Sequence, residues 1–360
     1  MEPTKSICIG VLTHNSKGHL PDLFASLLSQ SPRTQLSLIF VDNQSTDETI
    51  KELQTFKSTH LGQYCDIQVI LNSKNNIATG RNLILRNTSA DFVAFVDSDC
   101  KFSANWLIEL ESGFDFGRLQ NNKQIAYAGS QKFPSNGRFY QILDLMQNSF
   151  LGHGKSPQAM RPQKSRLVNH VPCTNVLFER KKLLEVGGFD DSFALCGEDR
   201  EISAKLKSYG HELAMGPLPW VINDCAPDFL SWLKRMFRFG SVQPEFLKLS
   251  TFVANAHGPS VLGLLSIMTF IFLALFPQLI LPFVVIYLLI ILFEATRVTI
   301  INKGIKFENL YFATRVSLML FFTHLSYFIG FAFGFVYRMS RSIMPARRPF
   351  ISSQSERFGS

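Results

Sequence analysis

Residues Phe92 to Val96 form an unbroken apolar run that ends abruptly in Asp97-Ser98-Asp99. A short run of β-branched and aromatic residues of this kind predicts a strand buried on both faces. A strand buried in this way belongs in an α/β layer structure. In open α/β sheets, ligands bind beyond the carboxyl ends of the strands. Asp97 and Asp99 therefore leave the core where a ligand can sit. Two carboxylates one residue apart could share a hard cation, Mg²⁺ or Mn²⁺, of the kind that bridges to substrate phosphates. The competing reading is a strand-end turn that caps the next helix.

The preceding residues repeat a strand–helix rhythm. Ile7–Leu12 predicts a first strand, and Leu20–Leu28 a helix with Pro21 in its first turn. Leu36–Val41 predicts a second strand, ending at Asp42. Ser45-Thr46-Asp47-Glu48 reads as a capping box opening a helix through about Phe56. Ile67–Leu71 is a third strand and residues 77–87 a helix. This alternation argues a parallel sheet of β-α-β units. A helix is expected from Ser103 through Leu110. Residues 115–165 are polar, with Gly, Pro and Lys, and take no assigned element; a lid or acceptor loop fits them. Order returns with a strand at Thr174–Phe178 and a short helix from Arg180 to Val186, ended by Gly187-Gly188. A further helix opens near Glu198, carries Ile202 and Leu206 at helical spacing and stops at Gly210.

With 360 residues there is room for about two domains. Residues 1–250 have the composition of a soluble α/β domain, and 258–340 that of a membrane region with apolar blocks at 261–293 and 311–337. Residues 341–360 form a basic polar tail. The first block is uncharged, interrupted by Pro277 and Pro282, and too long for one upright span, so it reads as a helix pair or one kinked helix. A net charge of +8 suits nucleic acid or an anionic membrane surface. No basic patch interleaved with aromatics is present, so nucleic acid is set aside as a partner and the membrane is favoured. Arg338, Arg341, Arg347 and Arg348 follow the last block and favour the cytosol. The start has no charged-then-apolar leader. The expectation is a multi-pass protein of the cell (inner) membrane with a cytoplasmic catalytic domain and an even number of crossings. Six scattered cysteines without a C-x-x-C pair, and histidines without ligand spacing, predict neither a disulfide framework nor a Cys/His metal site.

Several motifs occur in a fixed order. The first strand ends in Thr13-His14-Asn15, and the second in Val41-Asp42-Asn43-Gln44-Ser45-Thr46-Asp47. Asn75, Gly80, Arg81 and Asn82 open the helix before the Asp97-Ser98-Asp99 strand. Gly187-Gly188-Phe189-Asp190 precedes Gly197-Glu198-Asp199. Over residues 6–240 this series resembles family 2 glycosyltransferases of the GT-A fold, the Rossmann-like nucleotide-diphospho-sugar transferase fold. Lys234-Arg235-Met236-Phe237-Arg238-Phe239-Gly240 resembles the Arg-x-x-Arg-Tyr-Gly segment of membrane-bound members and, more distantly, the Gln-x-x-Arg-Trp of processive synthases. Phe239 for Trp and Arg235 for Gln point away from polymer synthesis.

The resemblance implies roles. Thr13, Asn15 and Asp42 would bind the nucleotide sugar, with Asp42 on the nucleoside. Asp97 and Asp99 would hold Mg²⁺ or Mn²⁺, whose charge offsets that of the leaving diphosphate. Arg81 would pair with Asp97 or with the phosphates. Asp199 would be the base on the acceptor hydroxyl, with Glu198 beside it. A helix N-terminus lowers the basicity of a carboxylate, and desolvation offsets this. The alternative for both acids is charge that complements the helix dipole. Arg235 and Arg238, three apart on one helix face, would close over the diphosphate or else form a basic membrane-surface helix. Lys101, Trp106 and Trp220 are candidates for the acceptor side. The implied activity is inverting, metal-dependent transfer from a nucleotide-sugar donor to a membrane-associated acceptor, a lipid-linked saccharide, in surface polysaccharide or glycolipid synthesis. The competing readings are a polyprenyl-phosphate sugar transferase and a non-catalytic membrane scaffold. A nucleotidyltransferase would need a Gly-rich loop that residues 10–18 do not supply.

Overall fold

The structure, a computed structural model, describes residues 5–31, 35–153, 162–246, 268, 269, 272 and 275–343. Its first half follows the expected alternation. Strand β1 (Ile7–Thr13) leads to α1 (Leu20–Leu28), β2 (Leu36–Asp42), α2 (Thr49–His60), β3 (Asp66–Leu71), α3 (Ile77–Asn87) and β4 (Phe92–Asp97). β1 pairs in parallel with β2 on one side and β4 on the other, and β3 extends β2. The register sets Thr13 opposite Asp42 and Leu12 opposite Asp97. Both acidic strand ends therefore emerge along one edge.

Beyond β4 the sheet is not parallel. The chain continues through β5 (Cys100–Phe102), α4 (Trp106–Gln120), β6 (Gln124–Lys132), α5 (Arg138–Gln147), α6 (Phe150–His153), β7 (Arg166–Val168), β8 (Asn175–Glu179), α7 (Arg180–Glu185), α8 (Glu198–Ser208) and β9 (Glu212–Asn223). β8 runs antiparallel to β4, β6 antiparallel to β8, and β9 parallel to β6. Among the described residues the nine strands form one sheet, in the order β3-β2-β1-β4-β8-β6-β9-β5, with β7 on β9. The later insertion of β8, antiparallel, between β4 and β6 produces this reversal. It puts the N-terminal end of β8, Asn175, beside Val96 at the acidic edge.

The 115–165 region contains more order than its polarity suggests. α4 continues past Leu110 because Phe114 buries one turn further on. β6 is hidden in sequence because it is built from small residues, Ala126, Ala128, Gly129 and Ser130, that lack strand preference. Tertiary packing specifies it: Ala126 and Ala128 lie between β8 and β9. Residues 154–161 of that region lie outside the described residues. The expected capping box also differs. α2 begins at Thr49, after Glu48, because the Ser45 hydroxyl is spent on Asp42 and Asp47 Oδ1 accepts the Thr49 N–H at 3.0 Å.

The core divides into two clusters, one on each face of the sheet. One contains Ile9, Val11, Leu23, Phe40, Val96 and Trp106, and the other Ile39, Val93, Phe95, Phe178, Phe189 and Ile202. Trp106 is fully buried and donates its indole N–H to Asn175 Oδ1 at 2.8 Å, so it serves the core and not an acceptor surface.

The remaining helices are α9 (Phe229–Val242), α10 (Ile280–Lys303) and α11 (Asn309–Ile343). The chain forms two compact units, Met1–Trp232 with Leu288–Leu320, and Leu233–Tyr287 with Phe321–Ser360. In the first unit, Glu294 of α10 accepts the Phe150 N–H at 2.7 Å and pairs bidentately with Arg297, which donates from Nε and Nη2 at 2.7 Å each. In the second, α9 crosses α11 closely. A Cβ on Gly330 would lie 2.1 Å from the Phe237 carbonyl oxygen, and one on Gly334 2.0 Å from that of Ser241. Pro277–Lys303 and Asn309–Ser340 are each long and apolar enough to cross a membrane, with 18-residue windows of mean hydropathy 2.5 and 1.7 that are 17% and 33% buried. Residues 261–267, 270, 271, 273 and 274 of the first apolar block, and residues 344–360 of the basic tail, lie outside the described residues.

Candidate active site

One side of the candidate site is built at the carboxyl ends of β1 and β2. Asp42 is fully buried and accepts from the Thr13 hydroxyl at 2.9 Å, the Ser45 N–H at 2.8 Å and the Ser45 hydroxyl. Three donors hold one carboxylate in a fixed orientation at the strand end. Asn15 takes a left-handed backbone, with φ of 50°, which asparagine tolerates better than most residues. Its amide oxygen accepts from Thr46 N–H at 2.8 Å, while its own N–H donates to Ser45 Oγ at 2.8 Å. Thr13, Asn15 and Asp42 are thus one assembly, with Asn15 shaping the loop that Asp42 anchors.

The next strand end carries the acidic pair. Asp97 is one-third exposed, and its Oδ2 accepts from the Thr174 hydroxyl at 2.7 Å. Thr174 was missed in the sequence because its value arises only from the antiparallel β4–β8 pairing. Asp99 lies in the tight turn into β5, and its carbonyl accepts the Asp224 N–H at 2.9 Å. Asp224 in turn accepts from the Tyr140 hydroxyl. Among the described residues, no group of three or more His, Cys, Asp or Glu side chains converges on a metal position. Two hard oxygen donors at a strand end fit a Mg²⁺ or Mn²⁺ whose remaining ligands are water and substrate phosphates.

Arg81 joins this edge to the second acidic pair. It is 6% exposed. One terminal nitrogen lies 3.2 Å from Glu198 Oε1 and 3.7 Å from Asp97 Oδ1, and its Nε donates to the same Glu198 oxygen at 3.2 Å. The guanidinium lies over Phe95, 5.2 Å from the ring centroid. A cation enclosed in this way belongs to the protein's own carboxylates, so the structure favours Asp97 over the phosphates as its partner.

Glu198 and Asp199 open α8, after Gly197 in the left-handed region at φ 91°. Asp199 Oδ1 accepts the Arg200 N–H at 2.7 Å. Burial, and then the adjacent Glu198 charge, push the Asp199 carboxyl up to about 7, against the opposing pull of Arg81. Desolvation therefore outweighs the helix-terminus effect, and Asp199 has the basicity of a general base near neutral pH.

The turn before α8 is fixed by α3. Asn82 Nδ2 donates to Phe189 O at 2.8 Å, and Asn82 Oδ1 accepts the Phe189 N–H at 2.9 Å. Asn76 Nδ2 reaches Asp191 O at 2.8 Å. Gly188, at φ 71°, leaves room for this clasp, since a Cβ there would meet Asn82 Oδ1 at 2.5 Å. Gly188→Ala is expected to destabilise by about 2–3 kcal/mol, combining backbone strain with a broken clasp. Gly187→Ala, at φ 85° with nothing within 4 Å, is expected to lose only about 1 kcal/mol. Thermal unfolding of the two variants side by side checks the difference.

The other sequence candidates are not all gathered here. Lys101 pairs with Asp22 at 3.2 Å, and Trp220 lies under the Lys132 ammonium at 4.1 Å. Arg235 and Arg238 belong to the second unit, on α9, where Arg235 lies over the Phe239 ring at 5.0 Å.

The strand edge thus carries a fixed buried carboxylate, Asp42, and the acidic pair Asp97 and Asp99, and Arg81 links it to Glu198, next to the raised carboxyl of Asp199. The description of glycosyl transferase family 2 matches residues 8–187, half of the chain, and the chain belongs to that family. It is 25% identical over 265 residues to the succinoglycan biosynthesis protein ExoM of Rhizobium meliloti, covering 71% of this chain and 78% of that one. It is 26% identical over 189 residues to the pre-mycofactocin glycosyltransferase of Mycobacterium tuberculosis, covering 51% of this chain and 38% of that protein. The chain thus spans well under half the length of this mycobacterial relative. The solved structure of the mannosyltransferase PcManGT of Pyrobaculum calidifontis superposes with a TM-score of 0.57 at 15% identity, over 96% of this chain and 89% of that one, which shows the shared fold.

Proposed function

We propose that the chain is an inverting, metal-dependent, non-processive glycosyltransferase that moves a sugar from a nucleotide-sugar donor to a membrane-associated acceptor, a lipid-linked saccharide, in surface polysaccharide or glycolipid synthesis. The observation that carries this reading is the single Arg81 nitrogen within 3.7 Å of both Asp97 and Glu198. It sets the proposed metal edge and the proposed base side by side. The naming of ExoM for succinoglycan biosynthesis supports the product class.

In this reading Asp42, held by Thr13, orients the nucleoside, and Asn15 shapes the loop beside it. Asp97 and Asp99 would hold a Mg²⁺ or Mn²⁺, which would supply positive charge to offset that of the leaving diphosphate. Asp199 takes the proton from the acceptor hydroxyl. The hydroxyl oxygen forms its bond to the anomeric carbon as the bond to the phosphate oxygen breaks. The electron pair leaves with the nucleoside diphosphate, and the anomeric centre inverts. Glu198 pairs with Arg81, and its position beside Asp199 raises the basicity of Asp199. The assignment of Arg235 and Arg238 to the diphosphate rests on the sequence pattern alone.

The proposed domain plan is a catalytic domain over 1–250, a transmembrane region over 258–340 and a basic tail over 341–360. α10 and α11 support a multi-pass protein of the cell (inner) membrane, with the catalytic domain in the cytoplasm, where nucleotide sugars are made. The test is nucleoside diphosphate release from a panel of nucleotide sugars with Mn²⁺ or Mg²⁺, by the full chain in detergent. Release from one donor, abolished by Asp99→Ala and by chelation, is the expected result. Absence of donor binding by calorimetry across the panel, with metal present, would instead support the scaffold reading.

A further inference from the structure

The turn joining α10 to α11 carries a cavity that the transfer chemistry does not use. It measures about 500 Å³ and lies wholly within the first unit, between Arg138 and Gln141 of α5 and Lys303, Asn309, Tyr311 and Phe312. Its cations are held by aromatic rings. The Arg138 guanidinium lies 5.7 Å from the Tyr311 centroid, and the Lys303 ammonium 4.0 Å from that of Phe312. Lys303 also donates to Gln141 Oε1 at 3.4 Å. Among the described residues, neither cation lies within ion-pair distance of a carboxylate. Glu308, which also lines the cavity, lies 3.9 Å from Lys306. Asn309 spends its amide on the Lys303 and Gly304 carbonyls, closing the end of α10. Glu308 is the one carboxylate in the lining and has Lys306 beside it, so two positioned cations that no carboxylate pairs with fit an anion, and a guanidinium suits phosphate in particular.

Beside the cavity, and sharing Glu308 and Tyr311 with it, runs a mainly apolar groove lined by Phe307, Leu310, Thr314, Arg315 and Leu318. Phe307 is 92% exposed and Ile305, two residues before it, 87% exposed. Large apolar side chains this open on a turn call for an apolar cover. Lysines, an arginine and a tyrosine at the ends of two apolar helices are also the composition of a bilayer interface.

We propose that this turn binds an anionic phospholipid, its phosphate against Arg138 and Lys303 and an acyl chain along Phe307, Leu310 and Leu318. The site rests on the bilayer reading of α10 and α11 and is independent of the transfer reaction. The test uses the full chain in neutral detergent, titrated with phosphatidylglycerol, phosphatidylcholine or inorganic phosphate and followed by native mass spectrometry and thermal shift. Selective retention of phosphatidylglycerol is expected, weakened about 10- to 30-fold in the Arg138→Gln/Lys303→Gln variant, from roughly 1 kcal/mol per basic residue. Phe307→Ser is expected to weaken the lipid and not inorganic phosphate. Equal retention of the two lipids, an unchanged double variant, or phosphate binding as tightly as phosphatidylglycerol would overturn the lipid site. Flotation with pure phosphatidylcholine vesicles separates the two readings. A protein that floats yet shows no lipid preference loses only this site, whereas one that stays monodisperse without detergent and does not float loses the membrane reading as well.

Discussion

Asp199→Asn is expected to lower turnover by about 10²- to 10⁴-fold, the usual worth of a positioned base, with donor binding retained. The same variant should unfold at a higher temperature than the parent at pH 8. The sign follows from linkage. A carboxyl held near 7 in the folded chain, against 3.8 for the free group, binds more protons folded than unfolded between those values. Stability from this group therefore falls as pH rises from about 4 to about 7, and the full penalty stands above that. An amide removes the penalty, so the gain should vanish below about pH 4. Turnover of the parent should rise through about pH 7 as Asp199 loses its proton. Thermal scans and pH–rate profiles on both proteins check these expectations. A variant that loses activity and also loses stability at pH 8 would make Asp199 a structural residue.

Arg81→Met should be among the most destabilising single changes in the first unit. It strips the cation from Glu198, whose side chain is 6% exposed, and from Asp97. Removing one partner of a buried ion pair typically costs about 3–5 kcal/mol, because the charge left behind has no compensation. Adding Glu198→Gln to Arg81→Met should recover part of the loss, since the stranded charge is then absent. Arg81→Lys should fall between, because a lysine keeps the charge and loses the fork that meets Glu198 through two nitrogens. Thermal unfolding of the parent, Arg81→Met, Glu198→Gln and the Arg81→Met/Glu198→Gln protein as a double-mutant cycle measures the coupling. An Arg81→Met protein as stable as the parent would show that the guanidinium is not needed to hold the two acidic pairs together.

The sequence was most legible where local pattern and tertiary role agree. The first four strands are mainly apolar runs, and all four were placed within about two residues. The acidic pairs, one at the end of β4 and one at the start of α8, were legible because they interrupt an apolar or helical pattern. β6, β8's reversed direction and Thr174 were not legible. β6 is a run of small residues that only two neighbouring strands define, and strand direction is fixed by partners far away in sequence. Asn82 stood in a recognisable motif, yet its clasp on Phe189 spans 107 positions and shows only in the fold. The partner of Arg81 was open between Asp97 and phosphate, and burial favoured the protein's own carboxylates. Trp106 shows the limit of reading an aromatic residue near a site, since spacing could not tell a core indole from a surface platform.

The pairing pattern of the sheet also dictates an order of assembly. β1 to β4 close through short β-α-β steps, so this half can form while later residues are still being synthesised. β6 cannot be completed in that way. Its neighbours β8 and β9 arrive about 50 and 90 residues later, and until β9 is made one edge of β6 stays open. The stretch matched to the family stops at residue 187, before β9 begins at Glu212. A fragment cut to that match would keep β2 to β4 and leave a bare edge on β6 as a template for aggregation. A fragment that keeps β6 paired on both sides has to run at least through Asn223, the end of β9.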